Sequence, residues 1–166
     1  MRPSRRLALG VVGTCSAVLS AAAPAVAGLP NETIGTARIG QAQPTTVLAN
    51  SRGRTLYVYT GDRKGRVSCY GGCLAPYYKP LLTGRKALAR SGSGVRQKLL
   101  GTVRRSNGQL QVAYDGHPLY TDTQDTRPGL YYGQACQGTA GDWFVVATSG
   151  NANEKLIGES SMCNGY

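Results

Sequence analysis

The sequence has little histidine, phenylalanine and tryptophan and few acidic residues. It contains one of each of these three residue types, and its 8 Asp and Glu oppose 19 Lys and Arg, for a formal net charge of +11. A Ser-His-Asp triad would have to use the single histidine, His117, and no Gly-x-Ser-x-Gly signature accompanies it. One histidine without a second at ligand spacing is also weak support for a metal. We therefore predict no metal, no cofactor and no catalytic residue, and interpret His117 as a turn residue packed on neighbouring tyrosines.

Beyond its first residues the chain has no apolar run long enough to span a membrane. Those first residues carry three arginines, an uncharged stretch and the closing Ala25-Val26-Ala27, the three parts of a secretory signal peptide. A membrane helix needs a stretch of about 20 residues, but abundant Ala and Gly, with Pro24, favour cleavage. A lipid anchor on Cys15 and twin-arginine export are weaker alternatives. We predict a signal peptide over 1–27 and a secreted or envelope-associated mature chain.

Cleavage leaves four cysteines, Cys69, Cys73, Cys136 and Cys163. An even number in an exported domain predicts two disulfides, because no cytosolic reductant acts there. The Cys69-x3-Cys73 spacing also fits half a zinc site or a redox pair, but export argues against both.

No linker divides the mature chain, so we predict one domain. Residues 28–44 are predicted to be an N-terminal extension and residues 45–166 a single β-rich domain.

The basic residues are concentrated in the middle of the chain. Thirteen Lys or Arg and one acid lie between Arg52 and Arg105. A solvated surface of uneven charge is one interpretation. The functional one is attraction to an anionic partner, such as a wall polymer, phospholipid head groups or extracellular nucleic acid. The candidate contacts are Arg63, Lys64, Arg66, Lys79, Arg85, Lys86, Arg104 and Arg105.

Two segments of the chain repeat each other. Residues 53–62 align with residues 116–125 at a spacing of 63, and five of the ten positions are identical: Gly, Leu, Tyr, Thr and Asp. We interpret them as two copies of one supersecondary unit, over about 45–82 and 100–148.

Each unit has the pattern of strands joined by tight turns. Asn107-Gly108 and Asp115-Gly116 supply the positive φ angles that short hairpins need. Helical periodicity is scarce, and Arg85–Leu100, which a helix could occupy, is interrupted by glycines and predicted as mostly loop. With one Phe, tyrosine is expected to fill much of the core. The predicted strands are Thr45–Ala49, Thr55–Thr60, Leu100–Arg104, Gln109–Tyr114, Leu119–Asp122 and Trp143–Thr148.

The predicted fold is therefore all-β: a small disulfide-stapled domain built from two pseudo-repeated hairpin units.

Each repeat carries a tyrosine followed five residues later by an aspartate: Tyr57 with Asp62, and Tyr120 with Asp125. A structural role is favoured, in which the ring is buried and the carboxylate caps the following turn through backbone N–H groups. A catalytic role would require Asp62 and Asp125 to converge as a general acid and base.

The G-x-x-L-Y-x4-D pattern resembles a bacterial family of secreted or lipoprotein repeats known by its Tyr-x4-Asp motif. The matching residues include Leu56-Tyr57 with Asp62, Cys69-x3-Cys73, Gly116-His117-Pro118-Leu119-Tyr120 with Asp125, Gly133-Gln134 and Trp143-x-Val145-Val146. A Trp-Pro-Pro-Leu segment of the family is replaced here by residues 77–81.

The resemblance carries no established biochemical activity. It has the first cysteine pair without the later two, which implies Cys69–Cys73 and Cys136–Cys163 bridges. The alternative bridge joins Cys73 to Cys136.

The sequence favours an exported, non-enzymatic binding or structural domain whose basic half contacts an anionic envelope polymer. One alternative is a secreted enzyme that uses the Asp and Tyr pairs. Another is an inhibitor or accessory subunit that presents the loop near Cys69–Pro80 to a protein partner.

Overall fold

The computed structural model describes residues 28–41, 44–74, 76–138 and 140–153, and the predicted signal peptide and Cys163 lie outside these ranges. Within them the chain is almost entirely β-structure, as predicted, with single-turn 3-10 helices at Gly71–Cys73 and Gln97–Leu99. No helix in these ranges has the length and apolar character that crossing a membrane requires. The strands are β1 Glu32–Ile39, β2 Thr45–Ala49, β3 Leu56–Tyr59, β4 Tyr78–Pro80, β5 Leu82–Thr83, β6 Ala87–Ala89, β7 Leu100–Arg104, β8 Leu110–Tyr114, β9 His117–Pro118, β10 Tyr120–Asp122, β11 Cys136–Gly138 and β12 Gly141–Val145.

The described strands form three sheets. The first has the order β2-β1-β6, the second β11-β12-β3-β10-β4, and the third β5-β8-β7 with β9 paired to β8. Neighbours are antiparallel except β1 and β6, which run parallel. The second sheet brings together strands from both predicted units, because β3 pairs with β10 and β12.

The two predicted tight turns are present. β7 and β8 pair over five residue pairs on either side of Asn107-Gly108, and Gly108 has a φ of 83°. At the β8–β9 turn, Asp115 and Gly116 have φ values of 48° and 80°. Positive φ at both central positions is the conformation of a type I′ hairpin turn.

The N-terminal extension forms a strand that the sequence analysis did not anticipate. β1 is the central strand of the first sheet and pairs with β2 over five residue pairs. Ile34 and Ile39 of β1 are 0% and 2% exposed. β2 in turn meets the start of the next strand through a short connection, an Ala49–Thr55 bridge and a hydrogen bond from the Asn50 N–H to the Arg54 carbonyl at 2.9 Å. The first unit is therefore not a complete hairpin, and the twofold repeat of the whole domain stays a prediction.

The core has an aromatic part and an aliphatic part. Tyrosines fill most of the aromatic part, as the shortage of phenylalanine predicts, and they surround Trp143, which is 1% exposed. The Tyr78 ring is stacked on Trp143 with centroids 3.7 Å apart, and the Tyr120 ring meets Trp143 edge-on at 5.0 Å. The aliphatic part includes Ile34, Leu48, Leu56, Val112, Leu119 and Val146.

Candidate functional site

The two motif tyrosines lie side by side in the second sheet. β3 and β10 are antiparallel, and Tyr57 is directly opposite Tyr120 in their register. Both side chains are completely buried. A buried tyrosine ring needs a polar partner for its hydroxyl, and the fold supplies one to each.

Each tyrosine binds the aspartate of the other motif. The Tyr57 hydroxyl donates to Asp125 Oδ2 at 2.6 Å, and the Tyr120 hydroxyl donates to Asp62 Oδ2, also at 2.6 Å. The two contacts are therefore reciprocal, and together they connect segments more than 50 residues apart in the chain.

The second oxygen of each aspartate holds the loop that follows it. Asp62 Oδ1 accepts the N–H of Ser68 at 2.6 Å and the N–H of Cys69 at 3.1 Å. Asp125 Oδ1 accepts the N–H of Tyr132 at 3.0 Å. In both motifs a backbone N–H seven residues after the aspartate is bound, so each carboxylate ties a tyrosine of one segment to a loop of its own.

The two motif carboxylates have different hydrogen-bond partners. Each follows the end of its strand, and the ends of antiparallel neighbours point in opposite directions. Burial and the nearby Asp125 raise the pKa of Tyr57 well above its ordinary value. Burial and Asp62 raise the pKa of Tyr120. These contacts pair each carboxylate with a tyrosine and a loop, and a catalytic Asp62–Asp125 pair stays a hypothesis.

Asp122, which the sequence analysis did not select, is buried beside the Tyr57–Asp125 contact. It is 2% exposed, its Oδ1 accepts the N–H of Gln124 at 2.8 Å, and burial raises its pKa. Burial, with a contribution from Asp122, also raises the pKa of Asp125 to about 6. Asp122 lies two residues after Tyr120 on the same strand, and this same-face spacing is the signal that could have identified it.

A glycine leaves room for this group of side chains. A Cβ on Gly133 would lie 2.9 Å from the Tyr78 hydroxyl, 3.0 Å from Asp122 Oδ2 and 3.0 Å from the Tyr57 ring. The Gly133 N–H donates to the Tyr57 hydroxyl at 3.3 Å, and its carbonyl accepts from Tyr78 at 3.1 Å. The residue at this position can therefore only be small.

His117 lies in β9, half-buried and in the tight β8–β9 turn. Burial lowers its pKa, and the neighbouring Lys64 lowers it further. In the described ranges, no group of three His, Cys, Asp or Glu side chains is placed to hold a metal ion.

The first cysteine pair forms the disulfide that the resemblance implied. Cys69 is bonded to Cys73, which rules out the alternative bridge from Cys73 to Cys136. Cys136 is also disulfide-bonded. Its predicted partner Cys163 lies outside the described residues, so that pairing stays a prediction.

Arg105 is buried, although it was predicted to be an exposed contact for an anionic partner. It is 5% exposed, its guanidinium donates to Gln111 and to the Cys69 carbonyl, and it lies over the Tyr70 ring at 4.5 Å. Its hydrogen bonds hold the disulfide loop against the third sheet, so this cation is part of the protein interior.

The other basic candidates are exposed and belong to several different segments of the chain. Arg63 and Arg66 pair across a short bridge, and Lys64 makes a salt bridge of 2.6 Å with Asp115. Lys79 lies on edge strand β4. The Arg104 guanidinium donates to the Gly108 carbonyl, and Arg85 and Lys86 lie between β5 and β6.

Comparison with curated proteins and with solved structures finds no match. A sequence family described as a secreted repeat of unknown function matches residues 101–147, which contain β8 to β12 and all of β7 except its first residue. This is the kind of family that the Tyr-x4-Asp pattern suggested, so the resemblance is confirmed over residues 101–147.

Proposed function

We propose that the protein is an exported, non-enzymatic binding domain whose cationic surface contacts an anionic polymer of the cell envelope. The observation that carries the proposal is the contrast in exposure between its positive and negative side chains. Of the fifteen Lys and Arg in the described ranges thirteen are exposed, whereas three of the six Asp and Glu are buried and three are half-buried.

The surface cations also have few acidic partners within the described part of the protein. In the part of the chain that the structure describes, Lys64–Asp115 is the single salt bridge. Asp62, Asp122 and Asp125 are buried and make their hydrogen bonds inside the fold. The field outside the molecule is therefore dominated by positive charge, which attracts polyanions and increases their association rates.

The Tyr–Asp pairs support a non-enzymatic role. Each carboxylate is bound by a tyrosine hydroxyl and by backbone N–H groups, so both oxygens are engaged in holding the fold. A general base needs a free acceptor within reach of its substrate's proton, and these buried contacts leave no such acceptor exposed.

The experiment is retention of the purified protein on isolated cell envelopes at increasing ionic strength. If the protein neutralises several phosphates or carboxylates of the polymer, its affinity should fall by about tenfold or more between about 50 and 200 mM salt. A variant with Arg63, Arg66, Arg85 and Lys86 replaced by Gln should bind more weakly and with a smaller salt dependence.

Retention that neither salt nor these substitutions alter would overturn the proposal. Salt-insensitive recovery of one envelope protein would support the inhibitor or accessory-subunit alternative instead. A matched control with four exposed uncharged residues replaced, Thr46, Ser91, Thr102 and Thr123 to Ala, should bind as the wild type does.

A further inference from the structure

We propose that four arginines around the loop at residues 127–129 recognise the phosphate groups of a phosphodiester polymer of the cell envelope. The Arg cluster consists of Arg38, Arg52, Arg54 and Arg127. The proposal rests on the proposed function, since it names the part of the surface that binds and the chemical group that is bound. None of the four is among the basic residues that the sequence analysis selected.

Three separate segments of the chain meet at this loop. A Cβ on Gly53 would lie 3.0 Å from the Pro128 ring, and a Cβ on Gly129 would lie 3.8 Å from the Arg38 carbonyl oxygen. The loop therefore packs between the end of β1 and the turn after β2. The segments that carry Arg38, the turn arginines and Arg127 therefore lie next to one another, although these residues are up to 89 positions apart in the sequence.

Hydrogen bonds fix the backbone that carries these arginines. Asn50 Oδ1 accepts the N–H groups of Arg52 and Arg54, each at 3.0 Å. The Thr55 hydroxyl donates to the Leu130 carbonyl at 2.6 Å, which ties the turn to the loop. A backbone ordered before binding reduces the entropy lost on binding.

The cluster has an excess of positive charge at the surface. Arg38, Arg52 and Arg127 are exposed and Arg54 is half-buried. Arg54 is close enough to the buried Asp125 to lower its pKa, although burial outweighs this effect. No salt bridge involves the four arginines among the residues that the structure describes.

Glu32 and Arg90 lie at one edge of the cluster, where both bind the backbone of Ser51. The Arg90 guanidinium donates to the Ser51 carbonyl at 2.9 Å, and Glu32 accepts the Ser51 N–H at 3.0 Å. Glu32 is the acidic side chain at this edge, and Arg90 lies beside it. The anionic ligand is therefore expected on the side of the turn away from Glu32.

The residue type indicates the chemistry of the ligand. All four cations are arginines, whereas the four lysines in the described ranges lie in other segments. A guanidinium presents a rigid fork of donors that pairs with oxyanions through two hydrogen bonds, which an ammonium group does not. The phosphate of a diester has two unesterified oxygens and two weaker ester acceptors arranged tetrahedrally, so arginines can approach it from several directions, whereas a carboxylate has two oxygens in one plane.

The test compares polymers of equal charge. Binding of the mature protein to poly(glycerol phosphate), to polyglutamate and to an oligothymidylate with the same number of charges is measured by calorimetry. We expect poly(glycerol phosphate) to bind about tenfold more tightly than polyglutamate, the effect of a single lost charged hydrogen bond. Equal affinity for these two polymers, or tenfold tighter binding of the oligothymidylate, would contradict the proposal.

Substitutions that keep the charge separate this inference from the proposed function. Changing Arg38, Arg52, Arg54 and Arg127 to Lys should abolish the preference for phosphate while retaining salt-sensitive binding. The double variant Arg38→Lys/Arg127→Lys changes exposed positions alone and should lose part of the preference for phosphate.

The variant with Arg63, Arg66, Arg85 and Lys86 changed to Gln should bind every polymer more weakly and keep the preference. A wild type that binds none of the polymers would refute the proposed function itself, whereas Lys variants that keep the preference would refute only the Arg cluster.

Discussion

At the scale of single residues, two buried aspartates and two buried tyrosines connect the motif segments. An ionised carboxylate inside a protein is costly unless donors surround it. Each motif aspartate receives a tyrosine hydroxyl from the other motif and a backbone N–H from its own loop. The Tyr-x4-Asp spacing therefore does not join the two residues of one motif. It places each of them where the opposite motif needs a partner.

Replacing Tyr57 by Phe should affect one aspartate and not the other. The Tyr57 hydroxyl bonds to Asp125 and lowers its pKa, so Tyr57→Phe should raise that pKa above about 6. Loss of a hydrogen bond to a buried carboxylate should also lower the free energy of unfolding by about 1–3 kcal/mol. Carboxyl carbon NMR titration and urea unfolding measure the two effects.

Tyr120→Phe is the matched control for this experiment. It removes the equivalent hydroxyl and the bond to Asp62, and should destabilise the protein by a similar amount while leaving the titration of Asp125 in place. An equal displacement of the Asp125 midpoint in both variants would argue against the crosswise pairing.

The buried Asp125 should also make stability depend on pH. Burial raises its pKa from 3.8 to about 6, so between these values the folded protein binds a proton that the unfolded chain does not. The contribution of Asp125 to the free energy of unfolding therefore falls as the pH rises from about 4 to about 6, by at most about 3 kcal/mol. Asp122, whose pKa is raised by burial, contributes with the same sign.

Urea unfolding at about pH 4.5 and about pH 7, on the wild type and on Asp125→Asn, measures this contribution. The amide cannot titrate, so the variant should gain stability relative to the wild type at the higher pH. A difference between the two proteins that stays constant with pH would mean that Asp125 titrates normally in the fold.

At the scale of the elements, the sequence predicted strands well where a local signal exists. β2 and β7 have the predicted bounds, and the Asn-Gly and Asp-Gly turns lie where positive φ was expected. β1 was missed, although Thr33, Ile34 and Thr36 are β-branched residues typical of strands. Its place at the centre of a sheet depends on parallel pairing with β6, which no local pattern encodes.

The candidate site was predictable in the same limited way. The Tyr-x4-Asp spacing identified Tyr57 and Asp125, but their partnership follows from the register of β3 against β10. The charge pattern along the chain indicated a basic stretch between Arg52 and Arg105. It could not indicate the Arg cluster, because Arg38 and Arg127 lie outside that stretch and meet it only in the fold.

The burial of β1 predicts that residues before position 45 are required for stability. Ile34 is fully buried in the aliphatic core, so Ile34→Ala should lower the free energy of unfolding by about 2–4 kcal/mol. Leu29, just before β1, is 40% exposed, and Leu29→Ala should change it by less than about 0.5 kcal/mol. Urea unfolding of both variants makes the comparison, and equal, small effects would mean that the extension does not belong to the domain.

At the scale of the whole molecule, most of the exposed charge in the described ranges is positive. Thirteen exposed cations against three half-buried acids leave this surface repelling itself, and compaction brings these charges closer together than they are in the unfolded chain. The same field that attracts an envelope polyanion thus reduces the stability of the free protein. Binding an anionic polymer relieves that repulsion, which couples retention in the envelope to stability.

Screening by salt should therefore stabilise the free protein. Between about 10 and about 150 mM NaCl the Debye length falls from about 30 Å to about 8 Å, which weakens repulsion between separated surface cations. We expect Tm to rise by about 2–4 °C, equivalent to about 1 kcal/mol for a chain of this size. The variant with Arg63, Arg66, Arg85 and Lys86 changed to Gln has four fewer surface charges and should show a smaller rise. If scanning calorimetry gives both proteins the same salt dependence, self-repulsion of the cationic surface does not limit stability, since removing those charges would then have changed nothing.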